Sequence, residues 1–379
     1  MNDLSNVIPQ LLAQGLMALR EMAVMPLLVN REYETLAGPQ GSSIDVPLPS
    51  DVAVQDVTPG ATPPSTATQT PGTVSIPLTR WKEAPFYLTD KDMMEVQNGA
   101  LPMMASSAIR SLANEVDQFL LGLGTKFYGV QGTAGTTPFT SSVADATQAR
   151  KVLNNQLAPL NDRRFVMNAD AEAEALELRA FHDASFGVGG AAILEGQITR
   201  RLGFDMFMDQ NVQSHTVGAA AGYVTNTGTA GSAIGDKEVA IDTGSGAFNV
   251  GDIVKFTGHD QTYVITGSTG GASATLINIE PGLVVAVADG VDVIGPGDTG
   301  GVGSHVMNLA FHRDAIAFAT RPLAGSRHPG SIIETAVDPV SGLALRLEMT
   351  REHKRDRFSY DILYGANVVR RELGCRVLG

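Results

Sequence analysis

Apolar positions near the start of the chain recur at helical spacing. Leu4, Val7, Ile8, Leu11, Leu12, Leu16, Leu19 and Ala23 fall on one stripe, which predicts an amphipathic helix stopped by Pro26. Such a helix either packs on its own domain or lies as an arm on a neighbouring subunit. From 38 to 87 the pattern turns extended. Runs at 43–58 and 73–87 flank the low-complexity stretch PGATPPSTATQTPG, which predicts a long β-hairpin with a flexible tip. Nine of the 19 prolines lie between 39 and 85. Pro47 and Pro49 are two apart, so their missing N–H groups face one strand edge, which is then an outer edge. Fifteen residues of strand would reach roughly 50 Å. A two-stranded ribbon of that length is marginal alone in water, so it needs a surface to lie on, and a second copy of the chain is the natural candidate. A Pro/Thr-rich linker is the alternative.

A continuous stripe follows over 101–128: Leu101, Ala105, Ala108, Leu112, Val116, Phe119, Leu120 and Leu123. It predicts a spine helix roughly 35–40 Å long. A helix at 143–157, a strand at 164–167 ending at Asn168, an acidic helix at 169–181 and a strand at 203–208 make an α/β unit. Asp170, Glu172 and Glu174 suit the positive N-terminal end of that acidic helix. From 222 to 300 the composition changes. The span holds 16 of the 41 glycines and short β-rich runs at 239–242, 253–256, 262–266, 275–279 and 283–287. Turns at hairpin spacing separate them, which predicts a small β-barrel inserted into the α/β unit. The closing block reads as strands at 307–311 and 315–320, then 343–350, where Leu343, Leu345, Leu347 and Met349 alternate with Arg346 and Glu348. A charged turn at 351–357 leads into 358–364 and a last strand at 367–373.

Charge narrows the function classes. The net charge is −13 and no basic arm or stripe stands out, which argues against a protein that holds nucleic acid by neutralising phosphates. The predicted barrel alone carries two lysines against nine acidic residues, a net −7. A single cysteine, Cys375, excludes an intrachain disulfide and a cysteine-rich zinc site. No apolar run is long enough to span a membrane and no secretory signal is seen, so synthesis and assembly in a reducing cytoplasm are expected.

No catalytic signature emerges. There is no Gly-Lys dipeptide for a phosphate loop. The G-x-G-x-x-A spacing of Gly187 to Ala192 follows an acidic helix, not a buried strand, and reads as a turn. His312-Arg313-Asp314 resembles a kinase catalytic loop but has Ala319 where that loop needs Asn. The seven histidines lack metal-ligand spacing, and Asp289 and Asp292 read as a solvated turn. No enzyme activity, metal or cofactor is therefore expected. Trp81, between Arg80 and Lys82 at the expected hairpin base, reads as a packing anchor. Arg346, Arg351, Lys354, Arg355, Arg357, Arg370 and Arg371 interleave with Glu348, Glu352, Asp356, Asp361 and Glu372, which suits salt bridges at a subunit boundary or a solvated face.

The order of parts resembles a tailed-bacteriophage major capsid (coat) protein of the HK-ninety-seven type, in the P-twenty-two-like branch that carries an insertion domain. The residues that carry the resemblance are RRFVMNADAEAEALEL (163–178), EGQITRRLGFDMFMDQNVQS (195–214), NLAFHRDAIAFATRPL (308–323) and SYDILYGANVVRRELGCRVLG (359–379). The resemblance implies an α+β fold: an N-terminal helical arm (1–37), an extended hairpin loop (38–87), a spine-helix peripheral domain (88–135 with part of 330–379), an axial α/β domain (136–221 and 301–329) and the inserted barrel (222–300). It implies self-assembly into an icosahedral virion shell around double-stranded DNA in the host bacterial cytoplasm. The implied partners are further copies of the chain, a scaffolding protein, a portal and decoration proteins. Candidate subunit-contact residues are Pro47, Pro49, Trp81, Lys82, Arg351, Lys354, Arg355 and Arg357. A surface or secreted β-rich ligand-binding module is the alternative reading.

Overall fold

The computed structural model describes residues 23–33, 43–48, 59, 72–91, 100–182, 198, 200–226, 232–323, 331–337 and 343–379. They form a mixed α+β chain that divides into two compact units, one built from Asn30–Leu112 and Ile316–Val369, the other from 23–29, Ala113–Ala315 and Arg370–Gly379.

The first unit opens with a two-stranded ribbon. β1 (Ser43–Pro47) pairs antiparallel with β2 (Thr73–Pro77), from Ser43 opposite Pro77 to Pro47 opposite Thr73. Beyond β2 the chain does not continue as a ribbon. β3 (Arg80–Thr89) leaves it and pairs over ten rungs with β18 (Arg355–Val368). This corrects the single long arm expected over 73–87. Ten rungs on a sheet, with Phe86 stacked on Phe358 at 5.2 Å, stabilise the chain more than an isolated two-stranded ribbon can. The ribbon's base finds a surface inside its own unit: Ile44, Val46, Ile76 and Leu78 pack on Ala317, Ala319 and Val369. Residues 49–58 and 60–71, Pro49 among them, lie outside the described residues, as do 1–22 of the expected arm helix.

β18 is the organising strand of this unit. It pairs with β3, with β15 (Ile316–Thr320) and with β17 (Ala344–Glu352), and β17 pairs with β16 (Ser331–Val337). The expected seven-residue charged turn is a two-residue one. Glu352 already faces Arg355, and His353-Lys354 closes the hairpin with Lys354 at φ 56°. One face of the sheet is core, with Leu345, Leu347, Phe358, Tyr360, Ile362 and Tyr364 all buried. The other face is charged.

The spine is α2 (Ala100–Gly122), continued by a 3-10 turn at Leu123–Lys126; it contributes residues to both units. The second unit also holds the short helix α1 (Met25–Leu28), β4 (Gly129–Gln131), α3 (Ala144–Asn155), β5 (Arg163–Met167), α4 (Ala169–Glu177), α5 (Arg179–His182), β6 (Asp205–Met208) and β7 (Ser214–His215). Its sheet runs β4, then β19 (Gly374–Leu378), β14 (His305–His312), β5 and β6, with β7 on β14. Phe139 packs on Phe165 and Phe181, and Phe165 on Phe204. The last strand was expected at 367–373. Instead β18 runs to Val368, a 3-10 turn spans Arg371–Leu373, and β19 lies between β4 and β14. All five residues of β19 are buried, so the C-terminal residues close the second unit's sheet, and 316–323 cluster with the first unit.

The insertion is a closed six-stranded barrel within the second unit: β10 (Ile253–Phe256), β11 (Tyr263–Thr269), β12 (Leu276–Glu280), β9 (Glu238–Asp242), β8 (Tyr223–Thr225) and β13 (Asp292–Ile294) in ring order. Tyr223, Val239, Ile241, Phe256, Ile265, Ile277 and Ile279 fill it. The run 283–287 is not one of its strands. Leu283 and Val287 are buried while Val284 and Val285 are about half exposed, so the run lacks the alternation a strand needs; β8 and β13 close the ring.

Candidate subunit-contact surface

The charged face of the first unit's sheet is built by strand alternation. Because β3 and β17 both pair with β18, Trp81, Glu83 and Tyr87 share a face with Leu363, Asp361 and Arg357, and with Arg346, Glu348 and Glu352. At its centre Arg346 and Asp361 are directly opposed. The guanidinium holds both carboxylate oxygens, with Nε donating to Oδ1 at 2.9 Å, and Asp361 is 2% exposed. Hydrogen bonding to Asp361 holds the guanidinium above its ordinary pKa. The same carboxylate accepts the Trp81 indole N–H at 3.0 Å, and Arg346 lies 5.8 Å from the Trp81 ring centroid. Further along, Arg357 donates to Glu83 at 2.7 Å and Ser359 to the other oxygen of Glu83 at 3.1 Å. Arg355 pairs with Glu352 and sits 4.4 Å over the Tyr87 ring. Arg351 is on the opposite face, bound to Asp356 and Asp90 at 3.0 and 2.6 Å.

The sequence candidates thus separate. Trp81, Arg355 and Arg357 come together on one face; Lys82 and Arg351 point to the other; Lys354 is exposed at the turn; Pro47 is exposed at the last rung of the ribbon. Trp81 is not at a hairpin base and is not buried. The residue is 60% exposed on β3, whose only pairing among the described residues is with β18. The outer pairs, Arg357 with Glu83 and Arg355 with Glu352, are at least partly exposed and contribute little stability each, but they fix the side chains around the indole. Glu83, which completes the ladder, carried no signal in the sequence beyond alternation on a strand. Among the described residues no group of three His, Cys, Asp or Glu could hold a metal ion, and no helix is long and apolar enough to cross a membrane.

The motif residues that carried the resemblance hold backbone geometry. A Cβ on Gly365 would lie 2.1 Å from the carbonyl oxygen of Pro77, and Asn367 donates to the carbonyl of Ser75 at 2.9 Å. The Tyr-Gly-Ala-Asn segment therefore seats the base of the β1–β2 ribbon against β18. Asn168 caps α4 by accepting from Ala171 N–H at 3.1 Å, and its own N–H goes to Asn308 of β14 at 2.8 Å. Gly203, at φ +87°, closes the tight turn in which Arg201 and Phe204 exchange backbone hydrogen bonds ahead of β6.

No family model and no curated protein matches the chain. Solved structures do. A chain described as Mycobacterium phage Che8 matches with a TM-score of 0.53 at 15% identity, covering 94% of this chain and 90% of its own. A chain from "Capsid structure of the Cyanophage P-SCSP1u" matches at 12% identity over 93% and 86%, with a TM-score of 0.49. One from "Asymmetric unit of bacteriophage PhiM1 mature capsid" matches at 9% over 90% and 82%, with a TM-score of 0.48. At these identities the likeness is one of fold, and the first comparison carries it: nearly end to end, the chain has the fold of the Mycobacterium phage Che8 chain.

Proposed function

We propose that this chain is the major capsid protein of a tailed double-stranded DNA bacteriophage, a subunit that self-assembles into the icosahedral shell of the virion. The observation that carries the reading is the end-to-end fold likeness to a phage chain. In this reading the first unit is the peripheral domain, the second unit without its barrel is the axial domain around capsomer centres, and 1–37 is an arm on a neighbour. The net charge of −13 suits a container whose wall does not hold the packaged DNA by its phosphates. Other copies of the chain are the principal partners; a scaffolding protein, a portal and decoration proteins complete the set, with assembly in the host cytoplasm. The β-rich ligand-binding alternative has no observation in its favour.

Pro47, Pro49, Trp81, Lys82, Arg351, Lys354, Arg355 and Arg357 are the proposed subunit contacts, and Trp81 is the one with an energetic argument. A large aromatic ring exposed on a stiff edge strand is the kind of side chain that dominates association energy once covered. The full chain, expressed with a scaffolding protein from a related phage where needed, should give closed shells tens of nanometres across by electron microscopy; persistent monomers would count against the reading. Trp81→Ala should leave the thermal midpoint of the subunit within a few degrees, since loss of a half-exposed ring costs on the order of 1 kcal/mol, yet cut shell yield sharply. Unchanged yield would remove Trp81 from the contact.

A further inference from the structure

Helix α3 ends in a backbone arrangement that ordinarily selects glycine. The Ala158 N–H donates to the Leu153 carbonyl at 3.0 Å and the Leu157 N–H to the Asn154 carbonyl at 3.1 Å. This is the paired closure in which the first residue past the helix cap turns left-handed, a position glycine fills because it has no Cβ to clash. Here that residue is Leu157, at φ 60°, and its side chain is 89% exposed. Three residues on, Leu160 is 63% exposed. The loop between them is held from below. Arg163, 2% exposed, donates from Nε to the Pro159 carbonyl at 2.6 Å and from Nη2 to the Ala158 carbonyl at 2.7 Å. Its far end is tied where Arg313 N–H reaches the Asp162 carbonyl at 3.2 Å. A strained, hydrated leucine gains nothing for the isolated fold, and the buried arginine makes the loop that displays it stiff. A stiff display of apolar groups loses little conformational freedom on being covered.

We propose that Leu157 and Leu160 form an apolar knob that inserts into a second copy of this chain in the assembled shell. The inference rests on the capsid reading for its choice of partner. The area argues for that partner: two leucines bury on the order of 200 Å², against ~800 Å² per side for a free-standing two-body interface. A knob this small cannot hold a diffusing protein by itself; it suits a subunit whose neighbours are kept in place by other contacts and for which one small contact recurs at every copy.

The test is Leu157→Gly, alone and with Leu160→Ser, in the full chain under assembly conditions. Glycine relieves the left-handed strain, so the variant subunit should unfold at or above the wild-type temperature while assembling about tenfold less well, and the double variant less well still. Raised thermal stability with reduced assembly separates a contact from a folding defect. Variants that self-associate in sedimentation as the wild type does, whether or not shells form, would overturn the knob. A wild type that self-associates without forming shells, beside a monomeric double variant, would sink the capsid reading and keep the contact.

Discussion

Arg376→Met is expected to destabilise the second unit by about 3–5 kcal/mol, three carbonyl groups each losing a donor at about 1–3 kcal/mol. Arg376 sits in the middle of β19 with no exposed surface. Its guanidinium donates to the carbonyls of Phe127 at 3.0 Å and Gly251 at 2.7 Å, and to that of Thr125. One side chain thereby ties the last strand to the turn after the spine helix and to the residues that lead into β10 of the barrel. Burial pushes its pKa down to about 9, with the carboxylate of Asp252 acting in the other direction, so the group is still a cation at neutral pH. Methionine fills the volume but leaves all three carbonyls dry. Urea unfolding followed by circular dichroism reads the effect; a variant within about 1 kcal/mol of the wild type would mean that water reaches the three carbonyls.

That tie was not legible in the sequence, and the reason is general to this chain. Periodicity finds an element by its own residues: the stripe of Leu112, Val116 and Leu120 gave the spine, and Asn168 ahead of an acidic run gave the capped helix α4. Alternation over 343–350 found β17, and glycine-spaced apolar runs found four of the six barrel strands. It does not say which strand an element joins. The run 73–87 was expected as one arm because nothing local marks Thr79 as the place where the chain leaves one sheet for another; the choice is made by residues 355–364, almost three hundred positions away. The same holds for the contact surface. Arg346 and Asp361 were visible as charges of opposite sign, but their pairing depends on a two-residue turn at His353-Lys354, and a seven-residue turn would have placed them on different rungs. Gly365 carried the resemblance as part of a motif, while its physical reason, the Pro77 carbonyl passing where a Cβ would be, exists only in the folded chain.

The stability of the second unit should fall as pH rises from about 5 to 8, with Asp117 as the cause. Asp117 projects from the spine helix with no exposed surface. Its two oxygens accept the backbone N–H groups of Val24 and Met25 at 3.2 and 3.0 Å, where the chain enters α1. Burial, and then the neighbouring carboxylate of Asp209, push its pKa up from 3.8 to about 8. Asp209 is itself raised by burial, accepts the Asn211 N–H at 2.8 Å, and is 3% exposed. Asn211 in turn bridges to Asn114 and Gln118 of the spine. No cation faces the pair in these contacts. Between the unfolded value and about 8 the folded state therefore keeps a proton that the unfolded chain has released, so stability is fully present below about pH 4 and declines as pH rises through the window. The limiting slope is about 1.4 kcal/mol per pH unit. Asp117→Asn preserves an acceptor for the backbone and removes the titration, so its thermal midpoint should vary less than the wild type's between pH 5 and 8, and exceed it at pH 8. Hydrogen exchange at Val24 and Met25 localises the effect: in the wild type it should quicken toward pH 8 beyond the ordinary base-catalysed rise, and in the variant it should not. Parallel stability profiles would show that the proton is held elsewhere.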